Sequence, residues 1–86
     1  MRIDKFLKVS RLIKRRTVAN EACDGGRIGV NGRPVKASYD VKEGDVIEIA
    51  FGNRVLRARV DTVAEHALKA DASGMYTILE DKKTED

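Results

Sequence analysis

At Gly25-Gly26 the hydrophobic period of this chain changes, and that change limits the folds open to it. Before the pair, Ile3, Phe6 and Leu7 follow the i, i+3, i+4 spacing of one helical stripe. Val9, Leu12 and Ile13 continue it less regularly, so a first helix is expected to end or bend near Ser10. Asp4 falls in its first turn, where a carboxylate faces exposed N–H groups. Thr17 is the expected N-cap of a second helix over about 17–24, with Val18, Ala19, Ala22 and Cys23 as its apolar side. Gly25-Gly26 stops that helix, because glycine takes the left-handed conformation without a Cβ clash.

After the pair the period is two. Ile28 and Val30 alternate with Arg27 and Gly29, and Asn31-Gly32 follows, the strongest short signal for a type I′ hairpin. The return strand contains Pro34, which cannot donate to a ladder, so it is expected to be short or at an edge. Residues 36–45 read as loop. Val46–Phe51 reads as a strand, Gly52-Asn53 as a turn, and Arg54–Val63 as a strand with Leu56, Ala58, Val60 and Thr62 inward. Residues 65–74 read as loop or weak helix, with His66 a loop residue. Residues 75–79 read as a docking patch, and 80–86 as a charged tail that frays. Helices then strands predict an α+β fold: two short N-terminal helices on a small twisted antiparallel sheet. The expected division is a domain over 1–63 and a docking segment with acidic tail over 64–86.

Several functions are disfavoured by what the chain contains. Eighty-six residues hold one core. One histidine, one cysteine and no phosphate-cradling glycine loop argue against a catalytic set, a zinc site and a cofactor. The lone Cys23 requires no oxidising compartment, and no apolar run approaches a membrane span. A cytoplasmic, monomeric, non-enzymatic protein is expected.

Charge points to a partner. The net charge of +3 is unevenly spread. Residues 1–36 hold ten Lys/Arg against three Asp/Glu, residues 37–63 four against five, and residues 64–86 three against six. Seven cations fall between Arg2 and Arg16, and the hairpin adds Arg27, Arg33 and Lys36. Such a basic block suits a polyanion. Only four aromatics are present, Phe6, Tyr39, Phe51 and Tyr76, with no strip for stacking bases. Shape and phosphate recognition of structured RNA is therefore expected over sequence reading. Solvated helix faces are also commonly basic. Likewise, Arg57 and Arg59 fit the wet face of a strand, Asp4 an arginine partner, and Cys23 a small helix-face hydrophobe.

The ordered set Arg2-Ile3-Asp4-Lys5-Phe6-Leu7, Arg11, Arg16, Ala19, Gly26-Arg27-Ile28-Gly29-Val30-Asn31-Gly32, Lys36, Val41 and Gly44-Asp45 resembles the S-four RNA-binding domain, the α-L motif. Within that family, residues 2–17 and 75–79 resemble the stand-alone ribosome quality control group (the RqcP, YabO family), related to the fifteen-kilodalton ribosome-associated heat-shock proteins. The resemblance implies binding to 23S rRNA and the large (50S) subunit obstructed by peptidyl-tRNA. It further implies stabilisation of P-site tRNA and support of C-terminal alanine tailing by an RqcH-type factor. The candidate RNA contacts are Arg2, Lys5, Arg11, Arg15, Arg16, Arg27, Arg33 and Lys36, with Arg2 and Arg16 at the two helix starts foremost. A heat-shock-type 50S recycling factor, a general structured-RNA regulator, and a protein-interaction module using residues 54–63 and 75–79 remain as alternatives.

Overall fold

The computed structural model describes residues 1–65 and 69–83. His66 and the tail residues 84–86 lie outside the described residues. Helix α1 (Ile3–Val9) and helix α2 (Arg16–Asp24) precede strands β1 (Ile28–Val30), β2 (Arg33–Pro34), β3 (Val46–Phe51) and β4 (Arg54–Val60). A short helix α3 (Lys69–Ala72) and a 3-10 turn (Ser73–Met75) lead into β5 (Tyr76–Lys83). The five strands form one antiparallel sheet in the order β2-β1-β3-β4-β5. The α+β architecture expected from the change of period is the one observed.

Helix α1 ends where its hydrophobic period fails. Ser10 is its C-cap, and Arg11 follows at φ 65°. The buried Ser10 hydroxyl donates to the Leu7 carbonyl at 3.3 Å, which ties off the last turn. Helix α2 starts one residue earlier than expected. Its N-cap is Arg15, whose extended backbone provides no side-chain cap, and Thr17 lies inside the helix. At the other end the glycines act as expected. Gly26 takes φ +80°, while its N–H donates to Cys23 and that of Arg27 to Ala22, closing a Schellman turn.

The core lies between the helices and one face of the sheet. Ile3, Phe6 and Leu7 of α1 and Ala19, Ala22 and Cys23 of α2 are buried against Ile28, Val30, Ile47, Ile49, Leu56 and Val60. Strand register aligns these residues in rows: Ile28 opposes Ile49, which opposes Leu56, and Val30 opposes Ile47, which opposes Ala58. Each large aliphatic side chain so buried stabilises the fold by about 1.5–3 kcal/mol. Cys23 is one of these core groups, as its helix-face position suggested. Burial, with the nearby charges of Asp4 and Asp24, pushes its thiol pKa up to about 11.

Asn31 and Gly32 both take positive φ, 53° and 86°, as a type I′ turn requires. The two-residue β2 with Pro34 forms one edge of the sheet. At the other edge the expectations need correction. Strand β4 ends at Val60 rather than Val63, because the Asp61 and Thr62 N–H groups turn to the Met75 carbonyl at 2.8 and 3.2 Å. Thr62 is exposed rather than inward. Residues 80–83, expected to fray, are paired with β4, with Arg54 opposite Lys83 and Arg57 opposite Glu80. The Arg54 guanidinium holds Asp81 through two bonds of 2.7 and 2.6 Å. Arg57 and Arg59 occupy the wet face as expected, paired with Glu48 at 3.3 Å and Asp61 at 2.9 Å. Phe51, at the end of β3, is 40% exposed and so lies outside the core.

Candidate nucleic-acid interface

The two helix starts meet at one carboxylate. Chain pairing beside α1 fixes its entry: the Ile3 N–H donates to the Tyr39 carbonyl at 2.8 Å and the Val41 N–H to the Met1 carbonyl at 2.9 Å. The Met1 ammonium holds Asp40 at 2.7 Å. This places Arg2 as the N-cap residue of α1 and turns Asp4 inward, where its side chain is only 2% exposed. Packing of α2 across α1 then brings Arg16 and Asn20 to the same carboxylate.

Asp4 accepts from Arg2 Nε at 3.2 Å and Nη2 at 3.4 Å, from Asn20 Nδ2 at 3.2 Å, and from the Lys5 N–H at 2.8 Å. Arg16 Nε lies 3.5 Å from Asp4 Oδ2. Burial pushes the Asp4 carboxyl up. The hydrogen bonds from Asn20 and Arg2, the charge of Arg16 and the Lys5 N–H outweigh it and hold the pKa below its ordinary value. Asp4 is thus ionised at neutral pH and fixes two guanidiniums that remain half exposed, 51% for Arg2 and 49% for Arg16. The single buried carboxylate lies between two guanidiniums, each of which keeps exposed surface. Both guanidiniums line an opening of about 420 Å³ together with Asp4, Thr17, Asn20 and Glu21. Preorganised guanidinium forks of this kind match phosphate oxygens.

The remaining candidates separate into groups. Arg27 and Arg33 line one opening on the hairpin side with Gly26, Gly29, Gly32 and Glu48. A Cβ on Gly29 would come within 3.2 Å of the Arg33 carbonyl, a tight contact with the paired strand. The hairpin is held by Asn31, whose Oδ1 accepts the Val46 N–H at 3.0 Å and whose Nδ2 donates to Asp45 at 3.2 Å. Lys36 is exposed on the loop after β2, which Asp24 of α2 fixes through the Ala37 N–H at 3.2 Å. Arg15 is exposed at the start of α2. Lys5 pairs with Glu65 and is one-third exposed, so its charge is partly neutralised. Arg11 is set apart at the far end of α1, where it lines an opening with Phe51, Arg54, Tyr76 and Asp81. Sequence reasoning missed Thr17, Asn20 and Glu21 as lining residues. Their i, i+3, i+4 spacing on the polar side of α2 was the available signal.

Among the described residues no group of three or more His, Cys, Asp or Glu is placed to hold a metal ion. No helix there is long and apolar enough to cross a membrane.

Residues 1–47 match the S4 domain family. The chain is similar over nearly its whole length to proteins named RQC P-site tRNA stabilizing factor. That of Bacillus subtilis (strain 168) is 52% identical over 96% of both chains. That of Listeria innocua is 50% identical over 100% of this chain and 94% of the relative. A heat shock protein 15 homolog of Aeromonas salmonicida is 31% identical over 81% of this chain but 53% of its own. Among solved structures, the trimeric heat shock protein 15 of Vibrio cholerae superposes with a TM-score of 0.84 at 25% identity, covering 91% of this chain and 80% of that one.

Proposed function

The chain belongs to the S4 domain family, in the branch of the RQC P-site tRNA stabilizing factors, and from that premise we propose that it is a ribosome quality control factor that binds RNA and steadies tRNA. The observation that carries the reading is the convergence of Arg2 and Arg16 on the buried Asp4. Two guanidiniums from different helices are held at a fixed spacing, with donors free to take RNA phosphates. Arg27, Arg33 and Lys36 extend the basic surface along the hairpin side, and Arg15 continues it at the start of α2. The protein acts by positioning and contributes no covalent chemistry.

In its finer form, the RNA is 23S rRNA of a large subunit still carrying peptidyl-tRNA. The small basic body bridges the two RNA backbones, and the steadied tRNA supports alanine tailing by an RqcH-type factor. Relatives of about half identity over nearly the full chain favour this reading over the heat-shock type, whose relative matches over half its own length.

The test is co-sedimentation with obstructed large subunits across a salt series. Arg16→Glu is expected to weaken binding and to flatten the slope of log K against log salt by about one unit or more. Arg57→Glu, on the wet face of the sheet, is the control. Equal behaviour of the two variants refutes the proposed surface. In cells, a deletion strain is expected to lose alanine tails; tails that persist would favour recycling without tailing.

A further inference from the structure

The opening beside Arg2 and Arg16 contains more than cations. Helix α2 presents Thr17, Asn20 and Glu21 to the same space. Asn20 directs its Nδ2 into Asp4 at 3.2 Å, which leaves its Oδ1 as an acceptor. Glu21 is exposed and forms no ion pair or side-chain hydrogen bond among the described residues. Helix electrostatics do not account for it. It lies beyond the first turn, where a carboxylate gains from the helix dipole. The positions three and four residues away, Thr17, Val18, Asp24 and Gly25, offer no cation.

A carboxylate on the rim of a phosphate site repels phosphate, so a site built for anions alone gains nothing from Glu21. A ribose-phosphate backbone changes the balance. It offers acceptors at each phosphate and a donor at each 2′-hydroxyl, whereas a deoxyribose backbone offers acceptors only. The opening has the complementary set: guanidinium donors from Arg2 and Arg16, and acceptors from Asn20 and Glu21. We propose that Glu21, with Asn20 beside it, accepts the ribose 2′-hydroxyl next to a phosphate held by Arg2 and Arg16, and so makes this site select RNA over DNA. The inference rests on the RNA-binding reading above and adds the group that reads the sugar. Against DNA the same carboxylate stays unpaired beside an anionic backbone, which is discrimination by a repulsive element.

The test is fluorescence anisotropy with a labelled RNA stem-loop and the same stem-loop with every ribose replaced by 2′-deoxyribose, at one salt concentration. The readout is the RNA-to-DNA affinity ratio. Glu21→Ala is expected to lower that ratio about tenfold, the value of one charge-assisted hydrogen bond. Glu21→Gln keeps an acceptor but loses the charge, and is expected to lower the ratio by less than Glu21→Ala does. Glu21 is exposed, so neither variant threatens the fold. If both variants tighten RNA and DNA by the same factor, Glu21 is merely repulsive and the inference is overturned. Arg16→Glu separates the two levels. RNA binding that depends on Arg16 with a ratio indifferent to Glu21 overturns this inference alone. RNA binding indifferent to Arg16, or absent, overturns the underlying reading and this one with it.

Discussion

Asp4→Asn is the most informative single change, because it removes one charge and almost no volume. In the native protein the carboxylate takes two bonds from Arg2, one from Asn20 and one from the Lys5 N–H, with Arg16 at 3.5 Å. An asparagine can keep the Lys5 bond through its Oδ1. Its amino group then faces the donors of Asn20 and Arg16. Arg2 and Arg16 are half exposed, so each loses about 0–1 kcal/mol of ion pairing. The opposed donors at Asn20 cost about 1–2 kcal/mol more. The expected destabilisation is therefore about 1–4 kcal/mol, at about 4–8 °C in Tm per kcal/mol for a domain of this size. Urea melts followed by circular dichroism measure it.

The pH dependence of that difference is the sharper test. The native Asp4 pKa lies below its unfolded value, so the ionised form stabilises the fold. That stabilisation is complete above the ordinary carboxylate range and is lost as pH falls into the lowered native value. The gap in urea midpoint between wild type and Asp4→Asn is expected to be constant above about pH 5 and to close below about pH 4. A gap under about 0.5 kcal/mol at neutral pH, or one unchanged down to acid unfolding, would refute the assignment of Asp4 as the charge that fixes the two arginines.

Further outcomes are expected elsewhere. Asn31→Ala loses two side-chain bonds and places an alanine at φ 53°, so it should cost about 2 kcal/mol, read from denaturant midpoints. Ile47→Ala opens the centre of the sheet and should cost about 2–5 kcal/mol on the same measurement. Cys23, buried and with its thiol pKa near 11, should react with a thiol reagent at neutral pH only at the rate of unfolding; fast labelling of the native protein would contradict its burial.

Features with local causes are legible in the residues alone. The change of period at Gly25-Gly26, the positive φ of Gly26, Asn31 and Gly32, the end of α1 at Ser10 and the edge position of Pro34 all follow from residues within a turn of each other. The concentration of charge before Lys36 is likewise legible without a fold. Elsewhere a distant partner overrides the local preference. Thr17 has the chemistry of a cap, yet packing starts α2 at Arg16 and turns that face toward Asp4. Residues 80–83 look like a solvated tail, yet β4 offers them a ladder and Arg54 offers Asp81 a partner. Lys5 looks free for RNA until Glu65, sixty residues away, takes it. Which cations act together depends on packing between segments distant in the chain. Asp4 and Asn20 are sixteen residues apart, and only the packing of α2 on α1 brings Arg2, Arg16 and Asn20 to one buried carboxylate. A run of basic residues can indicate that a polyanion is bound. The placement of a desolvated counter-charge determines where the guanidiniums are held rigid, and only the fold creates that desolvation.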